Sequence, residues 1–167
     1  MLQLSGIKYD NKPQTPIKGV IVSVLKRNID ERGKLTEILR SDDPHFLKFG
    51  QVYTTSVFPK VVKAWHYHKI QVDNITILIG RVRLVLFDNR KDSETFEEIN
   101  ELILDASNPT LVTIPPEIYH GFKGIGLCES ILINVPTEHY NKNDPDEYRL
   151  DPKTGCMPYD WNKSIDG

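Results

Sequence analysis

The sequence predicts an all-β domain, an antiparallel sandwich or barrel. Three observations carry that reading. From Gly19 onward the chain is a succession of short runs rich in Val, Ile, Leu and Thr, and most of them are bounded by Gly, Pro, Asn or Asp. Within "ITILIGRVRLVLFDNR", Val82, Leu84 and Leu86 alternate with Arg83, Val85 and Phe87 behind Gly80, as expected of a hairpin with the glycine at its turn. In order, the strand candidates are "GVIVSVLKR", "GKLTEILR", "QVYTTSVF", "VVKAWHYH", "NITILIG", "RVRLVLFD", "EINELILD", "TLVTIP" and "ESILINVP". One helical candidate remains, in "NDPDEYRL". Residues 1–18, with their Pro and Asn, read as an arm that packs on the body or on a partner, and residues 19–167 as a single domain.

A chain of 167 residues with 39% hydrophobic content buries a core without disulfides or structural metal. The net charge of −2 arises from 21 basic and 23 acidic side chains interspersed along the chain, which argues against nucleic acid and anionic membrane as partners. The first residues lack the apolar stretch and small-residue site of a signal peptide, and no apolar run is long enough to span a bilayer. The expected location is the cytoplasm, with Cys128 and Cys156 as reduced thiols.

The stretch "KAWHYHKIQVDN" holds the first candidate site. Side chains alternate along a strand, so His66 and His68 project from one face while Trp65 and Tyr67 pack on the other. His120 stands in "TIPPEIYHGF", behind two prolines that force an extended, turning backbone. The order H-x-H-x4-D-x6-G (His66, His68, Asp73, Gly80), then P-x4-H (Pro115, His120), resembles the two motifs of the cupin superfamily. That resemblance implies a double-stranded β-helix, or jelly roll. Asp73 takes the place of the usual Glu, and Glu117 and Gly124 the places of the usual Gly and Asn.

A longer resemblance, from Gly19 to Trp161, is to the dTDP-4-dehydrorhamnose 3,5-epimerase family, dimeric cupins that invert two carbons of a nucleotide-linked 4-keto-sugar. "DERGKLTE" resembles the family's substrate-binding segment and implies that role for Arg32 and Glu37. Gln51 has the family's spacing to His66, and "KAWH" is similar to its "RGLH", which implies that His66 is the base and Lys63 a phosphate contact. "IPPEIYHGF" is similar to "IPEGFAHGF" and places His120 in the substrate pocket; "PTEHY" and "PYDW" resemble "CTDYY" and "GIDW". The resemblance further implies a nucleotide-sugar substrate, no cofactor, and a homodimer that exchanges N-terminal strands.

Such a reaction takes a proton from the carbon beside a ketone and returns one, so it needs a base active near neutral pH, a stabiliser for the enolate oxygen and an acid. Histidine suits the first task. A carboxylate on its other nitrogen would fix the tautomer, and the family's aspartate falls on Asp151 counted forward from "DEYR" or on Thr154 counted back from Trp161. Two positions depart from the family. Asn134 stands where it has its acidic tyrosine, which leaves epimerisation at one carbon, a keto-isomerisation with return on the same face, or a substitute tyrosine such as Tyr53 or Tyr67, and Asp73 stands where it has a lysine. Asp73 reverses a charge where negative charge develops, and a divalent metal would offset it. The alternative expectation is therefore a metal-dependent cupin with His66, His68, Asp73 and His120 around Fe, Mn, Ni or Zn. A sugar-binding module without catalysis is the third.

Overall fold

The computed structural model describes residues 8–9 and 12–162; the remainder of the N-terminal arm and the last five residues lie outside the described residues. The strands are β1 (Lys8–Tyr9), β2 (Lys12–Pro13), β3 (Ile21–Val24), β4 (Arg27–Asp30), β5 (Gly33–Thr36), β6 (Tyr53–Val57), β7 (Val62–Tyr67), β8 (Asp73–Ile79), β9 (Arg81–Asp88), β10 (Ile99–Asp105), β11 (Thr110–Ile114), β12 (Ile118–Gly124), β13 (Ser130–Asn134) and β14 (Tyr148–Arg149). Two five-stranded sheets form, ordered β10-β9-β12-β7-β14 and β3-β11-β8-β13-β6, and the pairings within them are antiparallel. From β6 to β13 the chain changes sheet at nearly every connection, as in a jelly roll.

The hairpin read around Gly80 forms no ladder. β8 pairs with β11 and β13, whereas β9 pairs with β10 and β12, so Gly80 turns the chain from one sheet into the other. Its φ of +82° favours glycine, and a Cβ there would fall 2.4 Å from Ser130 Oγ. Alternation along β9 is nonetheless obeyed. Val82, Leu84 and Leu86 enter the core between the sheets with Ile75, Ile77, Val112, Ile114 and Leu132. Val85 and Phe87 enter a second core with Trp65, Tyr159 and Trp161, because the C-terminal segment covers the outer face of that sheet. For the same reason Arg83 is buried, its Nη1 donating to Tyr159 Oη at 3.2 Å. Among the described residues no helix is long and apolar enough to cross a membrane.

"NDPDEYRL" is a bend followed by β14 rather than a helix. Pro145 disfavours a helical Asp144, and the Asp146 carboxylate accepts N–H groups of Lys69, Ile70 and Gln71 at 2.8–2.9 Å instead of capping a helix. The segment then adds to the edge of β7.

The last arm residues are tied into the body. Ile17 is buried in the core, its N–H donates to Asn100 Oδ1, and the Lys18 N–H donates to Thr95 Oγ1. Beside this seam the buried Asp88 accepts from Arg90, Ser93 and Thr95. Burial alone would raise its pKa, but these hydrogen bonds outweigh it and bring the carboxyl down to about 2 from 3.8. A carboxyl depressed in the folded state stabilises the fold above its unfolded pKa, and that contribution is lost as pH falls through the folded value. Between pH 5 and pH 2 the protein is therefore expected to lose about 2 kcal/mol more stability than Asp88→Asn, read from urea midpoints. Parallel losses in both proteins would contradict this.

Candidate active site

The two sheets enclose a cavity of about 750 Å³ lined by Gln51, Tyr53, Lys63, His66, His120 and Asn134 among others. This is ample for a sugar with part of a nucleotide. Its histidines are placed by strand pairing. His120 on β12 lies directly opposite His66 on β7, with ring centroids 6.0 Å apart. The ladder between these strands then slips: His120 pairs with His66 but Phe122 pairs with Lys63, so Ala64 and Trp65 together oppose Gly121. The bulge resets the alternation. Lys63, His66 and His68 all line the cavity, although Lys63 and His66 are an odd number of residues apart, while Trp65 and Tyr67 face away. Gly121 makes room for this, since a Cβ there would lie 2.3 Å from Ala64 Cβ.

Asp73, at the start of β8 on the opposite sheet, is 1% exposed and aims at two of these rings. Its Oδ2 is 3.4 Å from His68 Nε2 and 3.3 Å from His120 Nε2. His68, Asp73 and His120 offer ligand atoms that all lie within 4.8 Å of one another. The other ends of these side chains are already engaged. His68 Nδ1 donates to the Asp146 carbonyl, and His120 Nδ1 lies 3.2 Å from the Ile118 carbonyl, so both rings carry their proton on Nδ1. Asp73 Oδ1 accepts from Gln71 Nε2 at 2.8 Å and Asn134 Nδ2 at 2.7 Å. Gln71 Nε2 also lies 3.2 Å from His68 Nε2. Two imidazole lone pairs thus converge on an anionic oxygen. The arrangement is repulsive unless a cation or additional protons lie among the three. Burial, only partly offset by Asp73, pushes the His120 pKa down and disfavours protonation of that ring.

The residues present fit a divalent transition metal: two imidazoles and one carboxylate, with outer contacts that hold both rings at Nδ1 and Asp73 at Oδ1. The expectation of a site without a cofactor is corrected on this ground. It followed the epimerase resemblance, whereas the cupin spacing of His68, Asp73 and His120 pointed to the ligands. Of the four expected ligands, His66 stands outside the group.

His66 has no hydrogen-bond partner among the described residues. Burial, with a smaller contribution from His120, lowers its pKa to about 4, and Glu147 acts in the opposite direction. It is therefore uncharged at neutral pH. Asp151 does not reach it; that side chain is exposed and accepts from the Lys153 N–H. Instead β14 sets Arg149 opposite His66, with Glu147 on the same face and accepting from Arg149 Nε at 3.0 Å. Lys63 Nζ donates to Thr55 Oγ1 at 2.8 Å and to the Ser56 carbonyl. Asn134 uses both N–H groups, on Asp73 and on Tyr53 Oη, and accepts from the Asn74 N–H. Arg32 and Glu37 do not line the cavity. They sit on or beside the β4–β5 hairpin, paired with Asp30 and Arg40. Sequence reasoning missed Gln71, Asp146, Glu147 and Arg149. The alternation Glu147, Tyr148, Arg149 was the available signal for the last two.

The sequence profile of the dTDP-4-dehydrorhamnose 3,5-epimerase family matches residues 14–165. The chain is 39% identical over 153 residues to the probable low-salt glycan biosynthesis epimerase Agl13 of Haloferax volcanii, covering 90% of this chain and 98% of that protein. It is 34% identical over 146 residues to the spore coat polysaccharide biosynthesis protein SpsL of Bacillus subtilis, covering 87% and 97%. Among solved structures, a dTDP sugar isomerase from Desulfovibrio desulfuricans G20 superposes with a TM-score of 0.83 at 27% identity, covering 89% of this chain and 94% of that one.

Proposed function

The chain belongs to the dTDP-4-dehydrorhamnose 3,5-epimerase family and is an enzyme of the nucleotide-sugar epimerase or isomerase type, and from that premise we propose that it acts on a nucleoside-diphosphate 4-keto-6-deoxyhexose by removing the proton next to the ketone. The observation that carries this reading is the placement of His66 beside, but outside, the His68, Asp73 and His120 group in a sugar-sized cavity. His66 takes the proton, and Glu147 steadies the imidazolium that results. His68, Asp73 and His120 would hold a divalent metal, which when bound supplies a Lewis acid for the ketone oxygen. Gln51 orients the sugar, and Lys63 faces its phosphates, while His120 and Asn134 hold the metal group and its surroundings.

The protein incubated with such a sugar in D2O is expected to incorporate deuterium at the carbon beside the ketone, and prior treatment with a chelator is expected to suppress it. No incorporation with any 4-keto nucleotide sugar would refute the reading.

A homodimer belongs to the same proposal. Ile29 and Leu35 on the β4–β5 hairpin are 73% and 59% exposed, and a second copy covering them would bring Arg32 and Glu37 toward a cavity that they do not reach in their own chain. Sedimentation is expected to give twice the chain mass at micromolar concentration; a monomer would count against it. The cytoplasm remains the proposed location, supported by the two exposed, unpaired cysteines.

A further inference from the structure

We infer that Tyr53 returns the proton to the sugar on the face opposite His66. The inference rests on the proton-abstraction reading above and adds the group that decides stereochemistry. Tyr53 opens β6 and pairs directly across the ladder with Asn134 on β13. Its hydroxyl accepts from Asn134 Nδ2 at 2.9 Å and, among the described residues, donates to nothing, so its own proton is unspent. Tyr53 and His66 line one cavity but come from different sheets, β6 from the second and β7 from the first. A flat enolate lying between the sheets therefore meets the imidazole on one face and the phenol on the other.

Asn134 is a positioning residue here. One N–H holds Asp73 Oδ1 and the other holds Tyr53 Oη, which fixes the phenol relative to the metal-ligating group. Tyr67 is excluded by geometry, since it faces away and stacks between Tyr119 and Tyr148. Tyr140 also lines the cavity, but no residue among those described holds its hydroxyl. Burial, then the charge of Asp73, pushes the Tyr53 pKa up to about 12, so the phenol enters the reaction protonated.

The step balances. His66 takes H⁺ from carbon, and the C–H electron pair becomes the enolate. That pair then forms a new C–H bond with the Tyr53 proton on the other face, leaving a phenolate. His66 gives its proton to water, and the phenolate takes one from water.

The test follows deuterium content and configuration separately, by NMR, in a 4-keto-6-deoxyhexose nucleotide in D2O with metal-loaded protein. Wild type is expected to incorporate deuterium with inversion. Tyr53→Phe is expected to keep exchange with retained configuration, by return from the His66 side, while inverted product falls at least about a hundredfold. Tyr140→Phe is expected to keep the wild-type proportion of inverted to exchanged product, whatever its rate. Inversion at the wild-type rate in Tyr53→Phe, or loss of inversion in Tyr140→Phe alone, would overturn the assignment. So would loss of both exchange and inversion in a Tyr53→Phe protein of unchanged metal content and melting temperature, because that marks positioning rather than proton return. Exchange without inversion in wild type overturns it while leaving proton abstraction intact; no exchange at all removes the reading beneath it.

Discussion

His66→Ala is expected to lower deuterium incorporation into a 4-keto nucleotide sugar by about a hundredfold or more, since a positioned general base typically supplies that factor. Nucleotide affinity is expected to change little, because the proposed phosphate contact, Lys63, is a different side chain. The structure sharpens this expectation. His66 is outside the metal group, so its removal is also expected to leave metal content unchanged, which separates a lost base from a lost ligand. Elemental analysis of the variant alongside its exchange rate reads both. A variant that exchanges at the wild-type rate would remove His66 from the mechanism, and one that has lost its metal would make it a ligand.

Asp73→Asn is expected to cost at least about a hundredfold in metal affinity, since it removes the one anionic ligand among the three. Without metal the same change is expected to be neutral or stabilising. The new amide oxygen can keep the hydrogen bonds from Gln71 and Asn134, while its N–H groups face the two Nε2 lone pairs that Asp73 Oδ2 now confronts at 3.3–3.4 Å. Melting with and without added metal reads the sign. Wild type gains from metal by binding to the folded state, whereas the variant does not. Asp73→Lys is expected to abolish both metal and activity. A faster, chelator-insensitive lysine variant would overturn the metal site.

Much of the fold was legible because period-two alternation is a local property. Val82, Leu84 and Leu86 announced one face of β9, and His66 with His68 announced the cavity side of β7 and of the residue that follows it. Partnership was not legible. The Gly80 turn looks like a hairpin in sequence, yet β8 lies between β11 and β13 and β9 between β10 and β12, and no local pattern encodes that choice. At the site, the cupin spacing offered His68, Asp73 and His120, with His66, as ligands only in the alternative to a cofactor-free enzyme. The neighbours of His66 could not be read, because β14 is only two residues, Tyr148 and Arg149, whose strand character comes only from the edge they join. Asp151 looked suitable by counting, but its backbone turns and its carboxylate serves that turn.

The spacing of the cavity's two opposed histidines depends on atoms that are missing. Gly121 lies flush against Ala64 at the slip between β12 and β7, and the two smallest side chains available occupy the point where those strands approach. A single methyl group added at Gly121 would act as a wedge, prising His120 from His66 without touching either ring or altering any charge. The spacing across this cavity is thus gauged by two residues with no functional groups of their own. Substitutions there would alter the cavity while every polar side chain around it remained in the sequence.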